Sequence, residues 1–520
     1  MINKYSKFWL YLPVIVIAVF AHFWRLDAVS LWRDEATTAC WAREILNSPE
    51  CLPRVWNGEV LIAQGADAHD FDENFFPAMQ SWLQFYVAAL AFKLFGVSTF
   101  SARLLFSLCG LLGVYFMYRI GRLVFDSINM GLLAAFLTSV SFPYLLFVRE
   151  CRYYALSMLF GILLIYEIVR FIMDREIRNT VSFYVRIAAW GALFYLANYL
   201  TFAILWGCLA VFFLFDWDKK VILKFILTSI ILGAVLSIEF IWLHLDFVLG
   251  TKASEGPQLE QVWKYLKRNF ELLNQIFPFY ALIPSGIVLY FFGWRRKPLL
   301  FRAVVFIAAA LFLSVIFNII LTKNQTQTRY YPHVIPLAIL LFICFFDQIR
   351  QRFGLIAGVI CLMPMMGWHN LLYFDNLNEA VVQQQFEGRD WYNAAIIEFI
   401  DKKIKPDETV AFYRNVKGMA MYFRFPWLKW VAQLDAADPA AQKYRNRLPD
   451  RIFDDPPTAD WYILWDKRKF DMNRLQNYEK VWEYQYIRRE ERKRFWKKRK
   501  PKRFQYEVYR KIHETSGSAM

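Results

Sequence analysis

The sequence predicts a polytopic α-helical membrane protein of about eleven transmembrane helices, with juxtamembrane helices in its first outer loop and a small C-terminal extracytoplasmic α/β domain. Three observations predict it. The chain is 57% hydrophobic and 19% aromatic over 520 residues, more apolar than a soluble protein of that size. Its long apolar runs are separated by short basic segments such as Trp217-Asp218-Lys219-Lys220 and Trp294-Arg295-Arg296-Lys297, the rhythm of membrane spans joined by cytoplasmic loops. Beyond residue 375 the apolar runs stop and charged residues alternate with aromatics.

The first apolar run, 9–25, follows only Lys4 and Lys7 and ends in His22-Phe23-Trp24-Arg25, with no small-residue cleavage site. It reads as a retained first helix rather than a signal peptide. Further spans are predicted at 101–118, 129–148, 154–172, 182–198, 200–215, 221–245, 276–293, 300–321, 332–347 and 353–372. Each is about long enough to cross a hydrocarbon core at 1.5 Å per residue.

The segment 78–96, "AMQSWLQFYVAALAFKLFG", decides the topology. If it does not cross, Lys4 and Lys7, Arg119 and Arg122, Arg175 and Arg178, Lys219 and Lys220, Arg295 to Lys297, and Arg350 and Arg352 all fall on one side. The positive-inside rule makes that side cytoplasmic. If it crosses, the rule fails repeatedly. Residues 78–96 are therefore predicted to form a juxtamembrane or re-entrant helix, with Gln80, Trp82, Gln84 and Tyr86 suited to the interface. The N-terminus is then inside, the C-terminus outside, and loops 27–100, 147–154, 246–275 and 321–333 face outward.

In the C-terminal region "DWYNAAIIEFIDKKI" (390–404) reads as an amphipathic helix, and "ETVAFYR", "DWYILWD" and "FQYEVYR" read as strands. The predicted division is a transmembrane domain 1–375 carrying the first loop 27–100, an outer α/β domain 376–513, and a disordered tail 514–520. No internal repeat is visible.

The net charge of +16 does not indicate nucleic acid, because most basic residues punctuate the spans. The densest run, "RREERKRFWKKRKPKRF" (488–504), falls in the predicted outer domain. It reads first as an exposed basic face with parts of strands or a hairpin arm, and second as a surface for anionic lipid headgroups, an anionic glycan or a phosphate-bearing acceptor. Most of the seven cysteines sit in apolar runs. Only Cys40 and Cys51 share a hydrophilic loop, where an oxidising compartment would permit a disulfide.

Four features meet at the predicted outer surface: Asp34-Glu35 in "SLWRDEATTACWAREIL"; the acidic return "DAHDFDENFFP" at 67–77; Arg149-Glu150-Cys151-Arg152-Tyr153-Tyr154; and Thr328-Arg329-Tyr330-Tyr331-Pro332-His333. Carboxylates beside fixed cations suit a reaction in which an acceptor is deprotonated while a phosphate leaves. No nucleophile triad, Walker loop or dinucleotide fingerprint stands at a credible position. A lipid-linked donor therefore fits better than a soluble nucleotide sugar.

This ordered set resembles the GT-C superfamily of polyprenyl-phosphate-dependent glycosyltransferases, in the branch of the protein O-mannosyltransferases and lipid A aminoarabinose transferases. The segments that carry the resemblance are "SLWRDEA", "NFFPAMQSWLQFYVAALAFKLFG", "STFSARLLFSLCGLLGVYFMYRIGRLVF", "VRECRYYALSML" and "QTRYYPHVIPLAIL". It implies a bacterial inner-membrane enzyme moving a sugar from a polyprenyl-phosphate donor to an extracytoplasmic lipid, glycan or protein, with inversion. It makes Asp34 the general base, with Glu35 shaping its field or holding a neighbouring loop. Arg149, Arg152, Lys323, Arg329, Tyr330 and His333 become donor-phosphate residues, supported by Tyr153 and Glu150. The sequence departs from the pattern at Asn74-Phe75-Phe76-Pro77, where many members carry a basic residue and two prolines.

Each of these residues has a plainer reading. Asp34-Glu35 would also suit the start of a helix, where acids meet the positive end of the dipole. Arg149 and Arg152 would also snorkel to headgroups or pair with Glu150. Asp67, His69, Asp70 and Asp72 supply ligands for a divalent cation, but acid-rich loops are ordinarily solvated, and the transfer requires no cofactor. A transporter or flippase is the rival function. It predicts charges near the bilayer midplane, and the spans hold few, with Glu167 and Glu239 near predicted ends.

Overall fold

The computed structural model describes residues 4–62, 71–242, 332–376, 394–412, 418–431, 444–448, 459–465, 475–488 and 502–512, apart from 73, 78–79, 175 and 215–217, together with scattered positions between 299 and 314. By its contacts the chain divides into two compact units. One is 1–26, 81–84 and 103–382; the other is 27–80, 85–102 and 383–520.

The first unit is helical. Its helices are α1 (Lys4–Phe23), α4 (Thr99–Phe125, entered from the other unit), α5 (Ile128–Val140), α6 (Phe142–Val148), α7 (Tyr154–Met173), α8 (Val181–Ala197), α9 (Tyr199–Leu214), α10 (Lys219–Trp242), α11 (Val334–Phe353) and α12 (Leu355–Asn376). They fall on the predicted spans, with ends that differ by up to seven residues, while 276–293 and half of 300–321 lie outside the described residues. Among the described residues, four helices are long and apolar enough to cross a membrane, or five if one bent pair counts as a span.

That bent pair is a correction. The predicted single span 129–148 is two helices, α5 and α6, meeting at 66°. The cause is local. Ser141 adopts an extended backbone, its Oγ accepts from the Tyr144 amide, and Pro143 stands in the first turn of α6, where its missing N–H costs nothing. Asn370 of α12 meets the freed backbone: its Oδ1 accepts from the Phe142 amide at 2.8 Å and its Nδ2 donates to the Val140 carbonyl at 3.4 Å. A broken helix in an apolar setting needs such partners. Close packing continues at Gly110, where an added Cβ would lie 2.5 Å from the Val148 Cβ.

α7 is the most buried of the long helices, 89% buried over its apolar window. It is apolar on every side, as an interior helix must be. Its one acid, Glu167, is ion-paired at 3.1 Å with both Arg170 and Arg186. This pairing explains the charge structurally and gives the transporter reading no support.

The second unit is mixed. It contains α2 (Arg33–Asn47), most of α3 (Leu83–Phe95), α13 (Ala394–Lys403), α14 (Gly418–Arg424) and a five-stranded sheet. The strands β1 (Thr409–Phe412), β2 (Lys429–Val431), β3 (Trp461–Trp465), β4 (Tyr478–Arg488) and β5 (Lys502–Lys511) lie in the order β2-β1-β3-β5-β4. β1 runs parallel to β2 and β3, and β5 runs antiparallel to β3 and β4. Three strands and α13 stand where the sequence predicts them; β2 and β4 are additional. The basic run 488–504 lies outside the described residues except where it ends β4 and opens β5.

α3 has 13 residues, about 20 Å of helix against a hydrocarbon core of about 30 Å. It packs Phe85 edge-on against Trp41 of α2, with ring centroids 5.1 Å apart.

By its contacts the first loop groups with the C-terminal segment in the second unit. Tyr444 Oη donates to the Phe71 and Asp72 carbonyls, each at 3.1 Å. Trp41 Nε1 anchors the loop through the Ile62 carbonyl at 2.9 Å.

Candidate active site

Asp34 and Glu35 occupy the first turn of α2, after an extended Trp32. Acids are stabilised there by the unpaired amides and the helix dipole. The two acids then differ. Glu35 is fully buried and its Oε2 accepts from the Trp32 amide at 3.3 Å, the side-chain arm of a helix-capping arrangement. Asp34 is 8% exposed, and its backbone carbonyl accepts from Thr38 Oγ1 at 3.2 Å. The plainer reading of the pair thus describes Glu35.

Arg149, Glu150, Arg152 and Tyr153 share the short turn between α6 and α7, and all are buried. α1 ends at Phe23, and Arg25 two residues on stands in the left-handed region, at φ 51°; carbonyls at a helix C-terminus lack partners within the helix. Arg149 meets them: Nη1 donates to Ala21 O at 3.0 Å, and Nη2 to Trp24 O at 2.6 Å and Arg25 O at 3.5 Å. Arg103 on α4 adds a bond to Leu26 O at 2.9 Å. Burial, and then the neighbouring Arg103, lowers Arg149 to about 10, so it stays charged at neutral pH. Through these bonds Arg149 closes the end of α1.

Arg152 lies over the Tyr153 ring at 5.3 Å, a cation–π contact. The Tyr153 amide donates to Gln84 Oε1 at 3.2 Å, and Gln84 Nε2 donates to Ser81 O at 3.1 Å, so the first turn of α3 and the residues just before it hold this turn. His333 precedes α11 and is buried; neither of its ring nitrogens has a hydrogen-bond partner among the described residues. Lys323, Arg329 and Tyr330 lie outside the described residues, as do Asp67, His69 and Asp70. Asp72 closes a turn by accepting from the Asn74 and Phe76 amides at 2.9 and 2.8 Å. Among the described residues no group of three His, Cys, Asp or Glu could hold a metal ion.

Cys40 and Cys51, for which the sequence leaves a disulfide open, are not bonded to each other. Cys40 is buried within α2, where burial pushes its thiol up to about 12, whereas Cys51 is exposed.

The predicted site residues therefore fall into two groups. Asp34 and Glu35 belong to the mixed unit; Arg149, Glu150, Arg152, Tyr153 and His333 belong to the helical unit. Sequence reading missed Gln84 as the partner of the Tyr153 amide and Arg103 as a second cation at the end of α1. It also missed the buried pair Arg43 and Glu44, 3.8 Å apart, whose only signal is two adjacent charges on an otherwise apolar helix face.

Residues 79–242 match the family model described as "Dolichyl-phosphate-mannose-protein mannosyltransferase". A search of the curated proteins finds no match. Among solved structures, the chain is similar to ArnT from Cupriavidus metallidurans bound to undecaprenyl phosphate, with a TM-score of 0.55 and 15% identity over 95% of this chain and 97% of that one. It is similar to the apo form of the same protein with a TM-score of 0.56 and 14% identity, over 97% and 98% of the two chains. The resemblance to GT-C transferases carried by the motifs is thus matched by a family model over 79–242 and by a shared fold over nearly the whole chain.

Proposed function

We propose that the protein is an inner-membrane glycosyltransferase that moves a sugar from a polyprenyl-phosphate donor to an extracytoplasmic acceptor. The observation that carries this reading is the fold shared with a transferase structure that holds undecaprenyl phosphate; the family model over 79–242 points to the same chemistry. The acceptor is a lipid, glycan or protein.

In the proposed step Asp34 takes the proton of the acceptor hydroxyl or amine. The acceptor atom forms a bond to the anomeric carbon as the bond from that carbon to the phosphate oxygen breaks. Configuration inverts, and polyprenyl phosphate leaves with its added negative charge. Arg152, held by Tyr153, and His333 are the proposed donor-phosphate contacts in the described part of the chain, with Lys323, Arg329 and Tyr330 as the further ones. Glu35 holds the helix end that presents Asp34, and Arg149 with Glu150 holds the turn that presents Arg152. The step needs no cofactor.

Purified protein incubated with radiolabelled polyprenyl-phosphate sugar and membrane acceptor fractions tests the reading. Wild type is expected to transfer label and Asp34→Asn to lose nearly all of it. Equal transfer by a folded Asp34→Asn variant removes the assigned base. The proposed orientation is checked separately: a C-terminal reporter active only in the cytoplasm should stay silent.

A further inference from the structure

A concave feature lies in the mixed unit, where the C-terminal half of α2, the turn after Val55 and the segment joining α14 to β2 line an open cavity of about 480 Å³. That volume is in the range of small-ligand sites. Its wall carries Arg43, Glu44, Asn57, Tyr422, Trp427 and Lys429.

These residues are held in place. Asn57 Oδ1 accepts from the Glu59 and Val60 amides at 3.0 and 2.8 Å, closing its own turn, and Nδ2 donates to Tyr422 Oη at 3.3 Å. Arg43 lies 4.5 Å from the centre of the Tyr422 ring, and its Nη1 donates to Tyr422 O at 3.4 Å. Its Nη2 has no partner among the described residues, although Arg43 is only 7% exposed. A buried guanidinium nitrogen with no acceptor costs free energy, and an oxygen entering from the cavity would relieve it.

The charges nearly cancel. Arg43 stands beside Glu44 at 3.8 Å, and Lys429 beside Glu59 at 3.5 Å. That balance disfavours a phosphate or nucleotide, which would need surplus cations. Carboxylates and amides that accept from hydroxyls, cations that donate to them, and an indole able to cover an apolar sugar face fit a neutral polyhydroxylated ligand.

We propose that this cavity is a saccharide-binding subsite. Arg43 lies nine residues beyond Asp34 on the same helix, about 14 Å along the axis and half a turn round it. The subsite is therefore distinct from the proposed base. That it anchors a remote sugar unit of the acceptor rests on the transferase reading; the binding itself does not.

The test uses full-length protein in lipid nanodiscs free of sugar-headed detergent, with equilibrium dialysis against labelled chitotetraose, maltotetraose and mannotetraose. At least one should bind in the millimolar range or tighter. Trp427→Ala should weaken it at least tenfold and Asn47→Ala, at the end of α2 in the cavity wall, severalfold, while Trp427→Phe stays near wild type. Asp34→Asn should bind like wild type, which separates the subsite from the chemistry. The proposal is overturned if no oligosaccharide binds, if a Trp427→Ala variant of unchanged melting temperature binds equally, or if inorganic phosphate displaces the saccharide. Donor turnover followed in the same preparations reports on the transferase reading independently: its failure with saccharide binding intact leaves the subsite standing.

Discussion

Two buried arginines, one in each unit, meet burial in different ways. In the helical unit Arg149 donates to three backbone carbonyls at the end of α1. In the mixed unit Arg43 has a tyrosine face, one long bond to a carbonyl and a carboxylate 3.8 Å away, and its Nη2 stays without a partner among the described residues. A buried guanidinium whose two terminal nitrogens are both met by backbone carbonyls is a structural clamp, whereas one with a terminal nitrogen left over beside a cavity keeps capacity for something else. Burial of a charge near a candidate site therefore does not by itself mark it as functional; its partners decide.

Four substitutions would break or sharpen that contrast. The largest effect is expected at Asp34 in the mixed unit, where Asp34→Asn should lower transfer by about 10²- to 10⁴-fold, the scale of a lost general base. Its melting temperature should stay unchanged, as followed by thermal denaturation beside the transfer assay. Next comes Arg149→Met in the helical unit, expected to cost about 3 kcal/mol of stability by stripping several carbonyls of a charged donor. A clear drop in the melting temperature of the detergent-solubilised protein checks it, and an unchanged melt would mean that α1 does not depend on this clamp. Tyr444→Phe removes two bonds to the first loop and should cost about 1 kcal/mol, seen as faster proteolysis within 27–80 while the helical unit stays intact.

The smallest effect concerns Glu44, whose carboxyl burial raises above its ordinary value of 4.5. The fold thus favours the protonated form, and that contribution is fully present below pH 4.5 and is lost as pH rises through the folded value. Glu44→Gln should melt like wild type at pH 4 and above it at pH 8. A gain at low pH instead would reverse the assignment.

Much of the fold was legible. The spans fall on helices because apolar runs of that length have few other ways to satisfy their backbone. β1, β3 and β5 were readable from alternation of aromatic and polar residues. Of the site, the first-turn position of Asp34 was readable from the acids that open an amphipathic run. The break at Ser141 was not, because hydropathy stays high through "FLTSVSFPYLLFV" and the geometry depends on Asn370, far along the chain. The role of Arg149 was hidden for the same reason: its partners are carbonyls, which carry no sequence signature.

Sequence alone determined the helical class, the mixed character of the C-terminal region and the pairing of Asp34 with Glu35 at a helix start. These follow from hydropathy, periodicity and capping, which act over a few residues. Only the tertiary structure decided that the first loop groups by its contacts with the C-terminal segment, that Glu35 caps its helix, and that Arg149 closes α1 while Arg43 lines a cavity. Those outcomes depend on backbone groups and rings brought together from distant positions, such as Tyr444 with Phe71 and Arg43 with Tyr422, and no local pattern encodes which distant partner a residue meets.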